Sequence, residues 1–163
     1  MIKGLHHSAY RCSDSEQTRQ FYEDFLGLPL VNALAIPHEN NPRRANALHS
    51  FFQMADGSCL AFFEALNMPF DFKPQHDFDL HIALEVPADD LQKWLEKGEQ
   101  FGIETRGIAN HDFVESVYFR DPDGYVVELT ARCAHHDDAM NPQKNHARSH
   151  LDTWQSFKKT LSD

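Results

Sequence analysis

The 163-residue chain carries 15 Lys and Arg against 25 Asp and Glu, a formal net charge of −10 with its 11 His neutral. That balance argues against nucleic-acid binding, which needs a basic surface, and no apolar run approaches the ~18 residues of a membrane span. The length suits one domain able to bury a core, and three cysteines without metal-type spacing (Cys12, Cys59, Cys133) point to reduced thiols and a cytoplasmic setting.

Met1 to Leu5 leads straight into the first strand, so no leader peptide is expected, and residues 2–12 read as that strand. Ser13-Asp14-Ser15-Glu16 reads as a capping box, and the helix after it sets Phe21, Tyr22, Phe25 and Leu26 on one face before stopping at Gly27. A strand over 28–36, a Pro- and Asn-rich loop to Asn46, and a hairpin of 47–54 with 58–65 around Asp56-Gly57 follow. Pro69 and Pro74 punctuate a linker. Beyond it come a strand over 79–86, a helix over 88–101 with Leu91, Trp94 and Leu95 inward, a strand over 103–109, and strands 114–120 and 125–131 joined by Asp121-Pro122-Asp123-Gly124. In the remaining 132–163, Leu151, Trp154, Phe157 and Leu161 recur at helical spacing and predict an amphipathic helix packed on the domain or on a second subunit. The His residues of that stretch (His135, His136, His146, His150) read as a solvated tail.

The chain says the same thing twice. His7-Ser8-Ala9-Tyr10 corresponds to His81-Ile82-Ala83-Leu84, Leu26-Gly27 to Phe101-Gly102, and Asp56-Gly57 to Asp123-Gly124, at offsets of 74, 75 and 67 residues. Such repetition fixes an architecture: an α+β domain over 1–163 in which two βαβββ modules (2–66 and 78–131) share a half-barrel sheet, followed by the C-terminal helix. His7 and His81 are repeat-equivalents, whereas the counterpart of Glu128 is Ala61, which has no donor atom. Strand alternation puts His81 and Glu128 opposite the strongest apolar stripes of their strands, on the face open to a cleft. Two imidazoles and one carboxylate brought together about a pseudo-twofold axis match the facial triad that holds a divalent metal with open positions.

With His7 seven residues before Asp14, Phe21-Tyr22-x-x-x-Leu26-Gly27, His81, and Asp121-Pro122-Asp123-Gly124-x-x-x-Glu128, the chain resembles the vicinal oxygen chelate superfamily over roughly residues 2–131. That superfamily comprises glyoxalases, fosfomycin-resistance thiol transferases, methylmalonyl-CoA epimerases and type I extradiol dioxygenases. The resemblance implies a metal held by His7, His81 and Glu128. Glyoxalases and epimerases add a fourth protein ligand at the position of Ala61; Glu64 lies three residues along the same strand and so faces the other way, which ranks isomerase chemistry low.

The run from His111 through Val117-Tyr118-Phe119-Arg120 to Glu128 resembles the type I extradiol signature. It implies a single-module, ring-cleaving dioxygenase with ferrous iron (Mn²⁺, Zn²⁺ and Ni²⁺ being the other ions such donors take) and an aromatic, catecholic substrate. His111 and Tyr118 would hydrogen-bond substrate and oxygen-derived charge, and His76, the one His in 65–80, would handle protons. The competing expectations are a thiol transferase of the fosfomycin-resistance type, for which Arg11, Arg106 and Arg120 are the available cations; a glyoxalase-type lyase or isomerase; and a non-catalytic binding module. A homodimer is expected from the exposed apolar face of the last helix.

Overall fold

The structure is a computed structural model that describes residues 1–40, 46–72, 76 and 78–161. Repeat one comprises β1 (His7–Arg11), α1 (Ser15–Arg19) running into a π-helical segment (Gln20–Phe25), β2 (Leu30–Ile36), β3 (Ala47–Gln53) and β4 (Cys59–Ala65). Repeat two comprises β5 (Ile82–Glu85), α2 (Leu91–Gln100), β6 (Thr105–Asn110), β7 (Val114–Arg120) and β8 (Val126–Arg132). The helices α3 (His136–Ala139) and α4 (Ala147–Thr160) follow. The βαβββ order therefore occurs twice, as expected, in two four-stranded mixed sheets ordered β1-β4-β3-β2 and β5-β8-β7-β6. In each, the first strand runs parallel to the fourth.

The chain divides into two compact units, one of residues 1–81 with 120–126 and the other of 82–119 with 127–163. In the first, Phe21, Tyr22, Phe25, Phe52 and Phe62 are all buried. Tyr22 lies 4.6 Å from Phe62 ring to ring, and its hydroxyl donates to Asp121 Oδ2 at 2.9 Å. The π-helical segment brings Phe21, Tyr22 and Phe25 into the core together. In the second, Ile82, Leu91, Val117, Phe119, Val127 and Leu129 are buried. The cysteines Cys12 and Cys59 are buried free thiols, and burial pushes the Cys12 thiol up to about 11, which keeps it protonated and inert.

Several boundaries differ from the expectation, each for a visible reason. The first strand begins at His7, not residue 2, because its partner β4 begins at Cys59 and pairs from His7 onward. The helix cap is Asp14, in extended conformation, whose carboxylate accepts from Gln17 N at 2.8 Å; Ser13 lies one residue before it, its N–H donating to Asp123 Oδ1 at 2.9 Å. The cap has moved one residue, with Gln17 at the third helical position supplying the N–H that it accepts. β5 begins at Ile82, since a turn in which Asp79 N donates to His76 O occupies the preceding residues. The expected helix over 88–101 opens with a 3-10 turn at Ala88–Asp90 before α2. In the tail, α4 forms as expected, and Leu151, Trp154, Phe157 and Leu161 on it and at its end are all exposed.

Candidate functional site

On the first sheet, register puts His7, Ala9 and Arg11 of β1 on one face with Ala61 and Phe63 of β4 and with His49 and Phe51 of β3. The His7 ring stands 5.5 Å from Phe51 and 6.0 Å from His49, edge-on to both. His49 itself stacks on Phe63 at 3.7 Å and lies 4.2 Å from Phe51. Its Nε2 is buried with no hydrogen-bond partner among the described residues. Desolvation, then the neighbouring His7, push the pKa of His49 down, so the ring is neutral at pH 7. Ala61 is fully buried between β1 and β3. Glu64 stands on the opposite face, as alternation requires, where its Oε2 accepts from Ser15 N at 2.8 Å.

On the second sheet, Glu128 is buried on β8, in parallel register with Ala83 of β5. The hydroxyl of Tyr118 on β7 donates to Glu128 Oε1 at 3.1 Å, and Nε2 of His111 lies 2.6 Å from the same hydroxyl. A phenol has one proton. With that proton given to Glu128, His111 must donate from Nε2, so the chain runs His111 to Tyr118 to Glu128 and fixes the imidazole tautomer. Burial first, then the Glu128 charge, raise the Tyr118 pKa, which keeps the phenol protonated as this chain needs. The Arg106 guanidinium sits 4.7 Å from the centroid of the Tyr118 ring and supplies the nearby positive charge.

The other expected residues fall as follows. His81 is exposed and immediately precedes β5. His76 is exposed and serves its own turn: its Nδ1 accepts from Phe78 N at 3.2 Å, and its N–H donates to Asp79 Oδ2 at 3.0 Å. His7 and His81 belong to the first unit and Glu128 to the second. Among the described residues no three His, Cys, Asp or Glu side chains stand close enough together to hold a metal ion. The donor chemistry nevertheless suits a divalent ion. Nδ1 of His7 lies 2.7 Å from Nδ1 of His6; when the His7 nitrogen donates there, its Nε2 lone pair is left for a metal, and the Glu128 carboxylate is oriented by Tyr118.

Sequence reading missed His6 and His49. His49 was within reach of it, since pairing the strands around Asp56-Gly57 sets it on the same face as Ala61.

The model of the Glyoxalase/Bleomycin resistance protein/Dioxygenase superfamily matches residues 4–129, which spans both repeats. The chain belongs to this superfamily. Within it, the chain is similar to the metallothiol transferases FosB of Bacillus licheniformis, at 31% identity over 78% of this chain and 75% of that protein, and of Staphylococcus haemolyticus, at 29% over 79% and 84%. It is also 26% identical to the Bacillus subtilis protein named "Putative ring-cleaving dioxygenase MhqA", over 80% of this chain but 40% of that protein. The fold is shared with the fosfomycin resistance protein FosX of Listeria monocytogenes, solved with Mn(II) and sulfate, at a TM-score of 0.64 and 20% identity over 84% of this chain and 98% of that one. Membership bears out the expected superfamily. The extradiol subtype, iron and an aromatic substrate are not what the FosB relatives point to.

Proposed function

We propose that the chain is a divalent-metal enzyme of the metallothiol-transferase kind, with His7, His81 and Glu128 as its metal donors and a small electrophilic molecule and a thiol as its substrates. The observation that carries this reading is the likeness to the FosB proteins over three quarters or more of both chains, against a partial match to the ring-cleaving relative. The donor set supports it, because two neutral imidazoles and one carboxylate leave a divalent ion its positive charge and open positions. When bound, the metal supplies Lewis-acid stabilisation of negative charge developing on a substrate oxygen. The chain's own part is electrostatic and positional. Tyr118, backed by His111, can turn its one proton from Glu128 to a substrate oxygen, and Arg106 adds a cation suited to an anionic group. In the reaction, a carbon–sulfur bond forms, an epoxide carbon–oxygen bond breaks, and the released alkoxide takes the thiol's proton.

The test is Mn²⁺-loaded protein with fosfomycin and with glutathione or cysteine, read as the thiol adduct by mass spectrometry. Adduct formation that needs both Mn²⁺ and Glu128 supports the proposal; no adduct with any small thiol overturns it. One observation favours a second reading, ring cleavage of a catechol with Fe²⁺: His111 and Tyr118, the two residues to which the extradiol resemblance gives contacts with substrate, lie side by side and hydrogen-bonded next to Glu128. Oxygen uptake by Fe²⁺-loaded protein with catechol distinguishes the two.

A further inference from the structure

We propose that His49 is a substrate-orienting residue: its Nε2 makes a hydrogen bond to an oxygen-bearing group of the small molecule that binds beside His7. The inference rests on the placement of His7 in the metal site proposed above and adds a contact which that reading does not contain.

Three features of the first unit converge on it. First, His49 Nε2 is buried and unpartnered among the described residues, although a buried polar atom without a partner is costly enough that most native structures satisfy it. Second, the ring is held in place. Phe63 stacks on it at 3.7 Å, nearly parallel at 17°, and Phe51 lies 4.2 Å away, so the imidazole arrives at a ligand already oriented. Third, the ring shares a sheet face with His7, 6.0 Å centroid to centroid; on the strand between them Cys59 pairs with His7 and Phe63 with His49, and Ala61, which lies between those two on the same face, contributes only a methyl. A group bound at His7 is therefore within one side chain's reach of His49, with apolar ring surface around it. The molecule that suits this corner is compact, with an apolar flank against Phe51 and a hydroxyl, epoxide or oxyanion edge toward the imidazole.

The experiment compares wild type with His49→Phe, which keeps a flat ring against Phe63, and His49→Gln, which keeps hydrogen-bonding atoms. Calorimetry measures Mn²⁺ alone, then fosfomycin and catechol on the Mn²⁺-loaded proteins. His49→Phe is expected to bind Mn²⁺ as wild type does and to weaken the bound probe about tenfold or more, with partial recovery in His49→Gln. In wild type, Mn²⁺ should also broaden the NMR signals of the His49 ring. Probe affinity unchanged in His49→Phe overturns the inference and leaves the proposed function standing. Loss of Mn²⁺ affinity in that variant overturns it too, by making His49 a metal donor. A wild type that takes up Mn²⁺ but neither probe, or no Mn²⁺ at all, overturns the functional reading and this inference with it.

Discussion

Tyr118 and Glu128 stand on the neighbouring strands β7 and β8 and are joined by a hydrogen bond of 3.1 Å in which the phenol donates. The phenol is thus placed to steer the carboxylate without replacing it. Tyr118→Phe is expected to leave Mn²⁺ affinity within a few-fold of wild type and to slow turnover by roughly 10²-fold, because in the reaction the phenol turns its one proton from Glu128 to the developing charge. Calorimetry with single-turnover kinetics checks both parts. A variant that loses metal and rate together would show that the phenol acts through the metal site alone.

Glu128→Ala should abolish metal retention, since two neutral imidazoles hold a divalent ion poorly without the carboxylate's charge. Metal analysis after gel filtration reads this directly. Glu64→Ala is the control. Its carboxylate caps the start of α1 on the other face of the first sheet, so metal content should not change.

Burial raises the Asp121 carboxyl to about 6, even though Tyr22 Oη, Tyr125 N and Asp123 N all donate to it. A folded-state pKa above the unfolded value means that the stabilising contribution is complete below about pH 4 and is lost as pH rises through 6. The melting temperature of wild type should therefore fall between pH 5 and 7.5 by more than that of Asp121→Asn. Parallel slopes in the two proteins would refute this.

Gly98 is buried where α2 packs on the second sheet, and a Cβ there would meet Phe119 Cε1 at 2.5 Å and crowd Thr105 Oγ1 more closely still. Helix propensity favours Ala over Gly by about 1 kcal/mol, but the clash opposes it with about 1–3 kcal/mol of overpacking. Gly98→Ala should accordingly lower the urea midpoint, whereas Glu99→Ala on the exposed side should not.

Trp154 and Phe157, 5.7 Å apart ring to ring, are the large side chains of an exposed apolar stripe on α4. A second copy of the chain is the partner proposed for that stripe, and light scattering should give twice the monomer mass. Trp154→Glu with Phe157→Glu should return the monomer with an unchanged circular dichroism spectrum.

The repeat, the eight strands and the helix-forming segments were legible because periodicity and turn residues are local signals. Asp56-Gly57 and Asp123-Gly124 alone placed the hairpins to within a residue or two. The opposite facing of Ala61 and Glu64 followed from alternation and holds in the structure. The ends of β1 and β5 were not legible, because a strand extends only as far as its partner, and the partner lies far along the chain. His49 was missed for a related reason: its environment is assembled from β1, β3 and β4, and no spacing within one strand announces it.

The parallel pairing of β1 with β4, and of β5 with β8, also bears on how the chain reaches its native state. Within each repeat, strands two to four succeed one another along the chain, so their pairing closes short loops, whereas the first strand must wait for the fourth to exist. Closing that longer loop carries the greater entropic cost, and non-local pairing of this kind is slow. His7 opens one of these late-docking strands and His81 immediately precedes the other. An intermediate lacking only these two strands would already hold most of its secondary structure yet present neither imidazole in place, so metal uptake should trail the recovery of helix and sheet signal during refolding.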